Sequence, residues 1–138
     1  MNFKNFSSKK DSSHPEIVST LSAFGWYIQD VSIVPNFGDL LIEKKHDVWL
    51  VEAKGTWTHM KVSQLLGFIE YPGKKVFLRT VDEVHLFHKF REEFVYAITN
   101  DKQNFHLKKL AEKYKSADKR LWRSEEFLKI LRGKNNEY

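Results

Sequence analysis

The order of apolar runs and amphipathic segments along these 138 residues predicts an α/β protein built on a mixed sheet. Three observations lead there. Two β-rich runs, about 39–45 and 48–54, are joined by the polar Lys44-Lys45-His46-Asp47, which reads as a hairpin loop. A helical pattern over about 59–70 follows, and then a further β-rich run, Lys75-Val76-Phe77-Leu78-Arg79. A meander, a crossover helix and a returning strand together make a mixed sheet.

The elements follow in order. Ser13-His14-Pro15-Glu16 has the Ser-x-x-Glu capping pattern with an early proline and opens a helix. Ile17, Val18, Leu21 and Phe24 form its apolar stripe, and Gly25 stops it. Gly25 to Val34 reads as the first strand, ended by Pro35-Asn36. The hairpin comes next. The crossover helix turns Val62, Leu65, Leu66 and Ile69 inward and ends at Tyr71-Pro72-Gly73. After the fourth strand, Thr80-Val81-Asp82-Glu83 is a second capping box, whose acids suit a helix N-terminus; Val84, Phe87, Phe90 and Phe94 line one side of that helix. Two more helices complete the chain, the last capped by Ser124.

Composition sets the outer limits. The length suits one domain, and eleven Phe, four Trp and five Tyr supply bulky core material. No run approaches a membrane span, and the first residues hold no apolar signal core. Cysteine is absent, which excludes disulfides and thiolate metal sites and fits a cytoplasmic protein. The net charge of +5 is placed unevenly: residues 105–138 carry ten Lys or Arg against five Asp or Glu, while the preceding residues balance. Such an excess attracts polyanions, although a merely solvated face accounts for the lysines too. Phe105, Tyr114, Trp122 and Phe127 lie among these cations, and their helix-like spacing assigns them to the core rather than to base stacking.

The chemistry is concentrated in Phe37-Gly38-Asp39-Leu40 and Val51-Glu52-Ala53-Lys54. Side chains two apart on a strand share a face, so Glu52 and Lys54 point the same way. Antiparallel pairing brings the start of one strand, with Asp39, beside the end of the next. Two carboxylates and the Ala53 carbonyl are an oxygen donor set of the kind Mg²⁺ takes, with water and substrate phosphate completing its shell. Lys54 would hold the attacking water or neutralise the phosphate. Charged groups at the rim of an apolar strand are costly unless paired or metal-bound, whereas on exposed strand ends such residues are common. Six scattered histidines give no ligand pattern; His59 lies near the site, and His85 and His88 read as solvated.

The order helix, β-meander, helix, strand, with Asp39 and Glu52-Ala53-Lys54, resembles the core of the PD-(D/E)XK nuclease superfamily, which implies a restriction-endonuclease-like fold. Within it the residues are most similar to the VRR-NUC branch and to the archaeal Holliday-junction resolvases. The early helix of that branch carries a Glu and ends in Gly, matched by Glu16 and Gly25; a helix bearing Gln follows the lysine, matched by Gln64. A strand ending in Arg and a Val-Asp-Glu-Val helix start are matched by Val76 to Val84. The likeness covers about residues 13–95. Gly38 stands where the family has proline, and the segment from about Asn100 onward matches nothing in it.

What the resemblance implies is metal-dependent hydrolysis of DNA phosphodiesters, with Mg²⁺ or Mn²⁺, by a homodimer acting on branched DNA, as in repair or recombination. Residues 1–98 would be the nuclease core and 99–138 a basic helical extension packed on the same domain. Asp39, Glu52 and the Ala53 carbonyl would bind metal, with Glu16 acting through water, unless Glu16 serves only the Ser13 capping box. Lys54 would be the catalytic lysine, and Gln64 would orient it or a phosphate, or else be a polar helix-face residue. Lys61, Arg79, Lys108, Lys109, Lys119, Arg120 and Arg123 would meet the DNA backbone, against a surface role for the strand-end arginine. Two other readings stand beside this one: a sequence-directed restriction- or recombination-type nuclease, and a nuclease-fold module that binds DNA without cutting. The acids weigh against the last, since without metal they repel phosphate.

Overall fold

The computed structural model describes residues 14–35, 37–53, 62–113 and 125–132. Helix α1 (His14–Ala23) leads to β1 (Tyr27–Asp30), and β2 (Leu40–Lys44) and β3 (Asp47–Ala53) form the hairpin. Helix α2 (Val62–Glu70) crosses to β4 (Lys74–Leu78), followed by α3 (Val81–Phe90), a 3₁₀ turn (Arg91–Glu93) and β5 (Ala97–Ile98). Helices α4 (Asp101–Lys113) and α5 (Glu125–Arg132) complete the described chain. The five strands lie in sequence order, with β3 and β4 parallel and the other neighbours antiparallel.

Strand alternation sends one row of side chains to each face. Trp49, Val51, Ala53, Val76 and Leu78 pack with Ile17 and Leu21 of α1 and Val84 and Phe87 of α3. Leu50 and Phe77 pack with Leu65, Phe68 and Ile69 of α2, Leu107 and Leu110 of α4, and Phe127 and Leu131 of α5. The result is helices on both faces of the sheet. Every residue from Trp49 to Ala53 is buried, as a central strand covered on both sides requires.

Local chemistry sets the boundaries. At the end of α1, Gly25 adopts φ +90°; its N–H donates to the Ser22 carbonyl and that of Trp26 to the Leu21 carbonyl. These are the two bonds of a Schellman cap, closed by the apolar pair Leu21 and Trp26. Strand β1 is shorter than the sequence suggests: the Asp30 carboxylate accepts from both the N–H and the hydroxyl of Ser32 and turns the chain. The hairpin loop is only Lys45-His46, both at positive φ, as a two-residue turn of the type I′ kind demands. Thr80 caps α3, its hydroxyl accepting from Glu83 N–H, but the expected box is only half formed, since the Glu83 carboxylate takes the Arg79 N–H instead of that of Thr80. Ser13, Ser124 and residues 59–61 lie outside the described residues.

Other expectations need correction as well. The fifth strand was not foreseen; two residues are too few to show a period, and β5 exists through its pairing with Lys75 and Val76. Phe90 is 46% exposed because α3 ends there and the chain turns at Arg91, and Phe94 is buried but lies beyond the 3₁₀ turn rather than on that helix. Phe105 is 56% exposed rather than core, since α4 turns Gln103, Leu107, Leu110 and Ala111 inward instead. His88 is not simply solvated: its ring stacks on Phe24 at 4.1 Å and its Nδ1 accepts from Trp26 Nε1 at 3.2 Å. Burial pushes its pKa down, and Arg91, Lys44 and His85 push the same way.

Lys75 is fully buried on the second face, where its ammonium donates to the carbonyls of Tyr71 (2.5 Å) and Gly73 (3.0 Å) just past the end of α2. Burial pushes its pKa down to about 8 from 10.5, against the upward pull of Asp101. Below pH 8 both folded and unfolded chains carry the proton, and the desolvation cost weighs on the native state in full. Between pH 8 and 10.5 the unfolded chain binds the extra proton, so this residue makes stability rise with pH by up to about 3 kcal/mol. Urea midpoints followed from pH 7.5 to 10 are expected to rise more in the unaltered protein than in Lys75→Met. Equal slopes would refute this account.

Candidate active site

The chain folds so that the hairpin and the central strand present their carboxylates at one end of the sheet. In the β2–β3 register Leu40 faces Val51, and the chain just before Leu40 stays attached. Asp39 donates its N–H to the Val51 carbonyl at 2.9 Å, and its carboxylate Oδ2 accepts the Ala53 N–H at 2.8 Å. Asp39 thus holds the backbone on both sides of Glu52. Its own carbonyl accepts from Val31 N–H at 2.9 Å, which ties the same corner to the end of β1. Glu52 is 6% exposed and continues the Leu50 row, with Phe77 as its neighbour on β4. Asp39 continues the row of Leu41, which packs on that same second face.

Gly38 explains how the loop comes so close. A Cβ there would lie 2.9 Å from one methyl of Leu50 and 3.3 Å from the other, so the backbone rests directly on that buried side chain. Phe37 closes the approach edge-on to Tyr71, with ring centres 5.8 Å apart. The glycine is therefore a packing requirement of this chain as well as a turn residue.

The other predicted residues fall as follows. Ala53 ends β3 on the first face. Gln64 is half-buried on α2, the helix covering the face of Asp39 and Glu52. Glu16 is exposed on α1, which covers the opposite face. Arg79 follows β4 on the second face, but its Nε and N–H are both engaged by the Glu83 carboxylate, at 2.7 and 2.8 Å, and its guanidinium lies 5.3 Å from the Tyr96 ring centre. Lys108 and Lys109 are exposed on α4. Lys54, His59, Lys61, Lys119, Arg120 and Arg123 lie outside the described residues, as do Tyr114 and Trp122. Among the described residues no group of three or more His, Asp or Glu side chains gathers to hold a metal, so Glu16 does not form such a cluster with Asp39 and Glu52.

Compared with family models, with curated proteins and with solved structures, the chain matches none. Among the described residues no helix is long and apolar enough to cross a membrane.

The opposite end of the sheet holds a second charged group that sequence reading missed. Asp47 accepts from Lys74, from Trp49 Nε1 at 2.9 Å and from Arg91 Nη1 at 2.9 Å, and Lys74 also reaches Glu92 at 2.6 Å. Burial acts to raise the Asp47 pKa, but the hydrogen bonds from Lys74, Trp49 and Arg91 hold it below the ordinary value. These side chains satisfy one another and fasten β3, β4 and the 3₁₀ turn together, which makes them structural. No signal in sequence pairs residues so far apart.

Proposed function

We propose that this protein is a metal-dependent DNA endonuclease that hydrolyses phosphodiester bonds in branched or structured DNA, working as a homodimer. The observation that carries the reading is the Asp39 Oδ2 bond to the Ala53 N–H, which fixes one carboxylate beside a second, nearly buried one at the end of the central strand. A scaffold does not need two acids there. The order of meander, crossover helix and parallel strand also supports the likeness to PD-(D/E)XK nucleases.

The donors present fit a hard divalent cation. Asp39, Glu52 and the Ala53 carbonyl offer oxygen only, as Mg²⁺ and Mn²⁺ prefer, and no thiolate competes. Mg²⁺, when bound, supplies Lewis acidity and a more acidic water. The protein's own part is to hold Asp39 through the Ala53 amide and to keep Glu52 on the same face. Lys54, two residues beyond Glu52 in the sequence, would offer its ammonium to the attacking water or to the phosphate oxygens.

The test is incubation of the purified protein with a labelled four-way junction, a matching linear duplex and a single strand, in Mg²⁺, Mn²⁺ or EDTA, beside Asp39→Ala and Lys54→Ala. Metal-dependent cutting of the junction, lost in both variants, is the expected result. Cutting of linear duplex at fixed sequences would favour a restriction-type enzyme. Binding without cleavage of any substrate would sink the enzymatic reading.

A further inference from the structure

Helix α4 packs on the same sheet face as Glu52, with Gln103, Leu107, Leu110 and Ala111 buried beneath it. At 100° per residue the opposite arc is centred on Phe105, flanked by Lys108 on one side and by Lys102 and Lys109 on the other. The Phe105 ring is 56% exposed, with Lys109 Nζ 5.0 Å from its centre and the His106 ring edge-on at 5.5 Å. Lys102, Lys108 and Lys109 are all exposed; the acids on this arc are Asp101 and Glu112, and Lys113 is turned to Glu126 of α5 at 3.1 Å.

We infer that this arc is a stacking platform for an unpaired base of a DNA strand, with Phe105 beneath the base and Lys108 and Lys109 against the flanking phosphates. The inference rests on the nuclease reading for the identity of the strand. A ring more than half exposed contributes little to the core, and around it Lys102, Lys108 and Lys109 outnumber the acids Asp101 and Glu112. Aromatic faces set among ammonium groups bind single strands without reading sequence, because every base has a π-face and every nucleotide a phosphate. A blunt duplex offers no unstacked base, so the platform distinguishes DNA with unpaired nucleotides from fully paired DNA.

The experiment is fluorescence anisotropy of the full chain in EDTA, with labelled duplex carrying a single-stranded tail and the same duplex blunt-ended. Phe105→Ala is expected to weaken binding of tailed DNA by about 5- to 100-fold, the range for one lost base stack, while blunt binding changes less than about twofold. Phe105→Trp retains tailed binding, and the Lys108→Ala, Lys109→Ala pair weakens both substrates and flattens their salt dependence. An unchanged affinity of Phe105→Ala for tailed DNA, an equal loss on both DNAs, or no binding of either DNA by the unaltered chain overturns the platform. Metal-dependent cleavage with no effect of Phe105→Ala removes the platform and leaves the nuclease. A selective Phe105 effect without any cleavage does the reverse.

Discussion

Glu52→Gln is expected to lower metal-dependent cleavage by at least about 10²- to 10³-fold, the scale for losing one charge-stabilising group, because the cation Glu52 would hold is what stabilises the developing charge. Gln keeps the volume of Glu in a site that is 6% exposed, so the sheet has no cavity to fill. It removes the negative charge and replaces one carboxylate oxygen by an amide NH₂. A second readout separates metal binding from chemistry: millimolar Mg²⁺ raises the melting temperature of the unaltered protein by linkage, by a few degrees for a gain of about 1 kcal/mol, and does not raise that of the variant. A variant that still cuts at full rate would show that Glu52 is a buried structural acid.

Glu83→Ala is expected to be the most destabilising single change near this end of the sheet, by about 2–4 kcal/mol. Glu83 is 7% exposed and its carboxylate takes both the N–H and the guanidinium of Arg79. Removing it strips the acceptor from a backbone amide and leaves a half-buried cation against Tyr96. Partial exposure of Arg79 keeps the figure below that of a fully buried pair. Glu83→Gln keeps an acceptor for the amide and should lie between. Urea midpoints at unchanged m-value measure the loss; less than about 1 kcal/mol would mean that water already screens the pair.

The parts of this fold that sequence could foresee are those encoded by neighbours in the chain. Gly25 ends α1, Thr80 and Glu83 open α3, and a polar link marks the hairpin; each depends on residues within a few positions of one another. That Asp39 nears the end of β3 was legible because a hairpin brings those two strand ends together, but the register was not, since the link reads as Lys44 to Asp47 and the structure shortens the turn to Lys45-His46. Contacts between distant elements were not. The helical period around Phe105 was real, but its phase was misread, because the inward row of α4 includes a glutamine. Gln103 is fully buried and satisfied by Thr99 N–H and by the carbonyls of Ala97 and Leu131, and no pattern of hydrophobic residues announces such a clasp. Lys75 hides in the same way: a strand lysine looks solvent-facing until the loop after α2 supplies its carbonyls.

The two-residue turn at Lys45-His46 has a consequence at the other end of its strands. It sets the pairing frame that joins Leu40 to Val51, and through it the place where Asp39 meets the end of β3. One inserted residue that slipped this frame by a single step would carry Asp39 from one side of the sheet to the other, away from Glu52, with every acidic residue still present. The length of a loop at the far end of the sheet is in this sense part of the proposed site's specification, so a substitution-only survey of the acids would never find it.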